Sequence, residues 1–481
     1  MAAVGIALLS GACSAILGIH DIGAPEDAST GGETGSDAET MEAHADAPPD
    51  GSEAAPPADG GDAAKTPDAV ATGDGGITPV AMGTVGAKVY ATGYGEELHI
   101  LQAQSTSEYW LFYVDDTAGE IKTRSSPDFV SWTERAALPV NVADGNNFSL
   151  AHALLGGVDV VHLVANTSGT SYATRHVRAT IASEQITPSD IDIVPDTDDN
   201  GAAGSGGGTC PNDAPSVTIL PDGHVYDVTA WTGHPNKGTT CDTNVYLSTA
   251  VDTGTAWTFG LAHDGYYVSV PTYAYSHELL TLPEAGVALA LWPDEDNSAQ
   301  TQFDSVGWAF SSTFVLDSGA IGTDGTVPVA SAELFAGMGT QMSFDDWAAC
   351  RLSDGDIHVV RHVSNGNAVQ SFEEVRWNGS QWLPETAPPQ VRSLSNTGVV
   401  LLAGSDPSRG MLMGAIGTDN SIQIAKWTAA SGWAAAATLP ATTTPRQSLA
   451  GTGCAGMAPH IMWTEGMGPY TMMAADLSSL L

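Results

Sequence analysis

Four residues able to move protons, Asp213, Asp345, Asp346 and His277, fall just ahead of short apolar runs, where the chain enters successive repeats. Two carboxyl groups set across a glycosidic bond can protonate its oxygen and activate a water, and an imidazole can carry a proton. Other polar side chains recur at the same stage of the repeats: Glu97, Asn147 and Arg446 ahead of such runs, His234 and Asp294 after the run that follows. Trp231 and Trp292 close two of those runs, where an indole face can stack on a sugar ring while neighbouring groups bond its hydroxyls. Each residue alone reads as a solvated loop side chain or as packing; the ring they make together is the functional expectation.

The elements that must position this ring are strands. Seven runs share one design: Tyr109–Asp115, Asp159–Asn166, His224–Trp231, Val287–Asp294, Asp356–His362, Met411–Thr418 and His460–Glu465. Their spacing, roughly 50 to 70 residues, fits one four-stranded sheet per repeat. Partner runs precede several of them across turn signals such as Pro221-Asp222-Gly223 and Ser353-Asp354-Gly355, a hairpin signature. The expected fold is therefore all-β, a seven-bladed β-propeller, with six or eight blades compatible with soft repeat boundaries. The strand Val85–Tyr90 is expected to complete the last sheet beside Tyr470–Leu477 and so join the ends of the ring.

Composition narrows the partners. The chain carries 56 acids against 15 Lys and Arg, a formal net charge of -41. A surface of that sign repels phosphate backbones, so nucleic acid is excluded. No run of about 20 apolar residues is present to span a membrane. Residues 21–79 lack aromatics and consist largely of Ala, Pro, Gly, Asp, Glu, Ser and Thr, a linker with too little apolar surface to order itself. The chain thus divides into a leading segment 1–20, the acidic linker 21–79 and the propeller body 80–481.

Five cysteines are present. Setting Cys13 aside leaves four, and Cys210 with Cys241 make the best disulfide pair, since both fall in loops expected on one face of the third blade. Cys350 and Cys454 lie on or near inner strands of different blades and read equally as thiols or as a bond. Asp196, Asp198 and Asn200, followed by Gly201, match the first half of a calcium loop without its later bidentate Glu. Calcium is the one candidate cofactor, as no phosphate loop, Cys-x-x-Cys pair or zinc helix occurs.

Resemblances add an address and a superfamily. Leu9-Ser10-Gly11-Ala12-Cys13 resembles the lipobox of bacterial lipoproteins, which implies export, lipidation at Cys13 and an anchor in the outer membrane of the cell envelope, with that lipid as the sole membrane contact. Ser126-Pro127-Asp128-Phe129-Val130-Ser131-Trp132 and Asp252-Thr253-Gly254-Thr255-Ala256-Trp257 resemble the Asp-box turn of sialidase-like propellers, which implies a structural turn remote from any active site. Sialidase activity is disfavoured, since no Arg-Ile-Pro segment occurs. Asn212–Ser216, His234, Tyr275 and His277 are similar in kind to the His/Tyr sites of propeller polysaccharide lyases. The expected function is that of an exported, monomeric lipoprotein whose propeller mouth binds a glycan or an envelope protein. The alternative is a carbohydrate-active enzyme, a glycoside hydrolase or polysaccharide lyase, using mouth carboxylates or a His/Tyr pair.

Overall fold

Tyr109–Asp115 shows why these runs become strands: its five central residues are all buried, as befits a strand covered on both faces by neighbouring sheets. The computed structural model describes residues 76–86, 91, 98–115, 119–142, 148–166, 174–193, 212–220, 223–232, 243–251, 258–263, 278–282, 287–296, 302–311, 347–363, 369–389, 392–393, 398–404, 406–454 and 456–481. They belong to one unit, Thr66–Leu481. Among them the regular structure is strand, with two short 3-10 turns at Pro407–Arg409 and Ser478–Leu480.

Seven antiparallel sheets are described. In chain order their innermost strands are Ile100–Gln102, Phe148–Leu155, Asn212–Ile219, Glu278–Leu282, Trp347–Arg351, Val399–Ala403 and Arg446–Gly451. The second strands are Tyr109–Asp115, Val158–Asn166, His224–Thr232, Val287–Asp296, Ile357–Val363, Met411–Ile416 and His460–Glu465, matching the repeat read from sequence.

Apolar clusters bind each sheet to the next. Leu101, Trp110 and Phe112 of the first pack on Phe148, Leu163 and Val177 of the second, and Val164 of the second meets Val217 and Val225 of the third. The inner strands of the third and fourth sheets lie side by side. Leu289 of the fourth meets Trp347 and Val359 of the fifth, Val360 of the fifth meets Leu401 and Met413 of the sixth, and Val400 and Leu412 of the sixth meet Ile461 and Trp463 of the seventh. Met462 and Met472 of the seventh then pack on Ile100 and Leu111 of the first. Every sheet has two neighbours and the order returns to its start, which is a β-propeller. Each fully buried aliphatic side chain contributes about 1.5–3 kcal/mol.

Inner strands of neighbouring sheets run the same way. The His99 ring, just ahead of the first inner strand, bonds the carbonyl of Phe148 at the start of the second; at the other end the Ala403 N–H donates to the Gly453 carbonyl. The end where inner strands begin and second strands finish is called the mouth below, and the opposite end the floor.

Ring closure follows the expected principle with a shifted strand. Val80–Val85 pairs antiparallel with Tyr470–Ala474 and supplies the fourth strand of the seventh sheet. The sequence placed this strand at Val85–Tyr90, and residues 87–90 lie outside the described ones. A bulge between Ala81 and Gly83 lets the Arg124 guanidinium of the first sheet reach the Met82 carbonyl. Gly83 suits this bulge at φ +147°, a conformation that side-chain-bearing residues rarely adopt, and a Cβ there would displace the Arg124 guanidinium, whose Nη1 lies 1.8 Å from that position. Ile77, assigned to the linker from composition, is instead buried between the sixth and seventh sheets with Leu477, because its side chain finds an apolar cluster that flanking Gly and Pro do not reveal.

The turn after Glu120–Ser126 is organised by one carboxylate. Asp128 accepts from the Val130 and Ser131 N–H groups at 2.9 and 2.7 Å and from the Ser126 and Ser131 hydroxyls. Those bonds hold its carboxyl down to about pKa 2. Trp132 packs on the seventh-to-first cluster and Phe129 sits over the His460 ring at 3.6 Å, so the turn fastens two sheets. Cys350 of the fifth sheet and Cys454, after the seventh inner strand, form a disulfide with Cα atoms 5.4 Å apart.

Candidate functional site

The best-defined corner of the mouth is built by the sixth and seventh sheets around Arg446. Its Nη1 donates to the backbone carbonyls of Asn420 at 2.9 Å and Pro440 at 3.0 Å. The guanidinium lies over the Trp463 ring at 5.7 Å, and its Nε is 3.8 Å from Glu465. Burial lowers the Arg446 pKa, with Glu465 and Asp419 opposing that shift. Arg446 thereby ties the loop into the seventh inner strand to the turn between the second and third strands of the sixth sheet. That turn is secured again by Asn420 Nδ2 on the Thr442 carbonyl and by Asp419, which accepts from the Ser421 N–H at 3.0 Å. Hydrogen bonds from Ser421 hold the Asp419 carboxyl below its usual range. A cleft of about 280 Å³ opens beside this turn, with Ser421, Gln423 and Thr438 on its polar side and Ile424, Ala435 and Pro389 on its apolar side.

The fifth sheet brings a buried cation to the same end. Trp347, the first inner-strand residue, is Cα partner to Arg361, and both are buried. Arg361 donates through Nε and Nη2 to Glu373 at 3.3 and 3.0 Å. Sequence reasoning passed over Arg361, because with His358 and His362 in the same run, Ile357–Val363, it reads as one of a strand's outward polar residues. His362 is buried beside it.

Between the first and second sheets, His99 is fully buried, stacks on Phe148 at 4.1 Å and bonds its carbonyl at 2.9 Å. Burial lowers its pKa to about 4, against the raising effect of that bond, so the imidazole is neutral at physiological pH. Asp115 closes the second strand of the first sheet. Burial alone would raise its pKa, but bonds from Lys122 at 2.8 Å and from the Gly86 N–H outweigh it and hold the carboxylate ionised.

Asp213 lies on the third inner strand as Cα partner of Ala230, beside the pair Asn212 and Trp231, and precedes a bulge between Asp213 and Ser216. The backbone therefore puts Asp213 and Trp231 together at the mouth end of one sheet. Trp292 and Asp294 belong to Val287–Asp296, whose register with Gln302–Ser311 runs unbroken to Asp296 opposite Gln302. Ladder hydrogen bonds thus carry the hairpin past Asp294, the end of the run read from sequence, to Asp296. Glu97, Asn147, His234, His277, Asp345 and Asp346 lie outside the described residues, as do Asp196, Asp198 and Asn200, Cys13, and the pair Cys210 and Cys241.

No protein-family model matches the sequence, and no curated protein does. Solved structures are similar in fold. An ulvan lyase from a new family of polysaccharide lyases, bound to -[GlcA(1-4)Rha3S]-, superposes with a TM-score of 0.50 at 11% identity, over 81% of this chain and 95% of that one. A Hadza microbial sialidase gives a TM-score of 0.42 at 13% identity over 76% and 75%. An endo-arabinase from Bacteroides thetaiotaomicron gives 0.35 at 12% over 63% and 97%.

Proposed function

We propose that this chain is a carbohydrate-active protein that handles a polysaccharide across the propeller mouth, as a glycoside hydrolase or polysaccharide lyase. The observation that carries this reading is the likeness to the ulvan lyase, which extends over 95% of that enzyme rather than over a few blades. It favours a catalytic role over the passive binding module that the repeats alone would suggest. The mouth chemistry is compatible: carboxyl and indole residues are carried there by several sheets, on strand ends whose positions are fixed by pairing. Export as a lipoprotein anchored at Cys13 belongs to the same proposal, and the Cys350–Cys454 disulfide supports it, because such bonds persist in oxidising compartments.

The test is incubation of the full chain with a polysaccharide panel, following released fragments by mass spectrometry and retention on immobilised polymer. Fragments that disappear on Asp213→Asn substitution would establish an enzyme at this mouth. Retention without fragments would return the protein to the binding-module reading, and neither would remove the carbohydrate reading altogether.

A further inference from the structure

Cys350 and His358 are Cα partners in the ladder between the first two strands of the fifth sheet, so their side chains leave the same face. That face is the seam with the sixth sheet. Cys350 belongs to the apolar cluster that holds Trp427, and the His358 ring stands edge-on to Trp427 at 4.3 Å. Both residues are fully buried. Directly opposed residues carry Cβ atoms about 4.5–5.5 Å apart, so a sulfur and an imidazole share one dry compartment here.

The imidazole is held from behind. His358 Nδ1 donates to Glu374 Oε1 at 2.6 Å, and Glu374 Oε2 accepts from the Trp433 indole N–H of the sixth sheet. Glu374 is buried as well, and Arg376, two residues along the same strand, is taken up by Asp356 and Glu385. With Nδ1 donating, the neutral ring presents a bare lone pair at Nε2. That nitrogen is buried and has no hydrogen-bond partner among the described residues. Unmatched buried polar atoms are destabilising, and native interiors keep few of them. A disulfide sulfur has no proton to offer Nε2, whereas a thiol does.

We propose that Cys350–Cys454 is an exchangeable bond, and that His358, oriented by Glu374, accepts the proton of the Cys350 thiol that opening creates. The set is a sulfur nucleophile, an imidazole base and a carboxylate behind the base. It does not depend on what the mouth binds. The co-reactant is a small thiol. Cys350 is closed to it, whereas Cys454 is partly exposed in the turn after the seventh inner strand. The incoming thiolate, its proton given to water, bonds Cys454 Sγ; the bond to Cys350 breaks and its electron pair leaves on Cys350. Cys350 takes up one proton and directs it at Nε2. A second thiolate then displaces Cys454, which is protonated from water, so two small thiols become one disulfide and the protein bond becomes two thiols. On return, Nε2 removes the Cys350 proton and restores the nucleophile, with Glu374 facing the imidazolium. The orphan nitrogen is matched only in the reduced state, which favours opening relative to a disulfide in a wholly apolar seam.

The experiment equilibrates the native full chain with glutathione redox buffers. Differential alkylation and peptide mass mapping score Cys350 and Cys454 separately from Cys13, Cys210 and Cys241, while near-ultraviolet dichroism follows the fold. The expected result is opening and reclosure with the fold kept, and glutathione trapped on Cys454. A bond that stays oxidised in reduced glutathione until the chain unfolds would overturn the proposal, since structural disulfides resist that pool. Glutathione trapped chiefly on Cys350 would overturn it too. His358→Asn keeps an amide donor where Nδ1 stands and lacks Nε2, so reclosure by oxidised glutathione should slow at least about tenfold. An unchanged rate in the folded variant would remove His358 from the exchange. The wild-type arm decides whether the bond is exchangeable even if that variant does not fold.

Discussion

Cys350 and Cys454 join sheets that are not neighbours: the fifth inner strand is bonded to the end of the seventh, past the inner strand of the sixth. Ala403, at the floor end of that sixth strand, bonds Gly453 alongside. The bridge closes a loop of 104 residues, for which chain entropy gives a stabilisation of about 4.7 kcal/mol and measured disulfides typically about 2–4. Cys454→Ser, or reduction of the native chain, is expected to lower urea stability by about 2–4 kcal/mol. An unchanged transition midpoint would show that the bridge does not constrain the unfolded chain.

Asp159 is a fully buried carboxylate that accepts from the Gln104 and Ser105 N–H groups, the Ser105 hydroxyl and His152, so it binds a hairpin of the first sheet to the second. Asp159→Ala leaves those donors without an acceptor and should cost about 3 kcal/mol or more, read by equilibrium unfolding. Asp159→Asn keeps part of the acceptor set and should cost less.

Acid should loosen the first-to-seventh seam through Asp128. Its carboxyl is depressed to about 2 in the fold, so its contribution is complete above the unfolded value near 4 and is lost as pH falls through about 2. Asp128→Asn removes that dependence. Acid titration followed by near-ultraviolet dichroism should show the wild-type signal from Phe129 and Trp132 falling over this window, and a flatter curve in the variant.

Gly83→Val should open the ring. The added side chain displaces the Arg124 guanidinium from the Met82 carbonyl and strains the backbone at φ +147° in the fourth strand of the seventh sheet. A loss of about 1–3 kcal/mol is expected, with limited proteolysis cutting near Val80–Val85 faster than in the wild type. Equal cleavage rates would mean that the seam tolerates the change.

Arg446→Gln should slacken the mouth corner, because the bonds to Asn420 and Pro440 lose their charge. About 1.5–3 kcal/mol is at stake for bonds of that kind, measured by urea unfolding, together with weaker polymer retention.

The repeat was legible because strands covered on both faces, such as Met411–Ile416, are written as unbroken apolar runs ending in turn residues. Positions were less legible wherever a tertiary partner overrides local pattern. Glu295 and Asp296 fall beyond the run Val287–Asp294, yet pairing with Phe303 and Gln302 keeps them in a strand. Arg361 reads as a surface alternation until Glu373 is placed beside it. The Cys350–Cys454 bond joins positions whose proximity depends on ring closure, which no local pattern encodes. Of the mouth residues, sequence placed Asp213 and Trp231 at one strand end, where the backbone puts them, but could not show that Arg446 has structural partners.

Both ends of the described chain meet at the floor. Ile77 shares a cluster with Leu477, Leu480 and Leu481, and Val80 pairs at the end of its strand farthest from Glu465. The first and last described strands are thereby locked against each other at the floor, and the mouth carries neither end of the described chain, so its strand ends are held by sheet pairing rather than by a terminus.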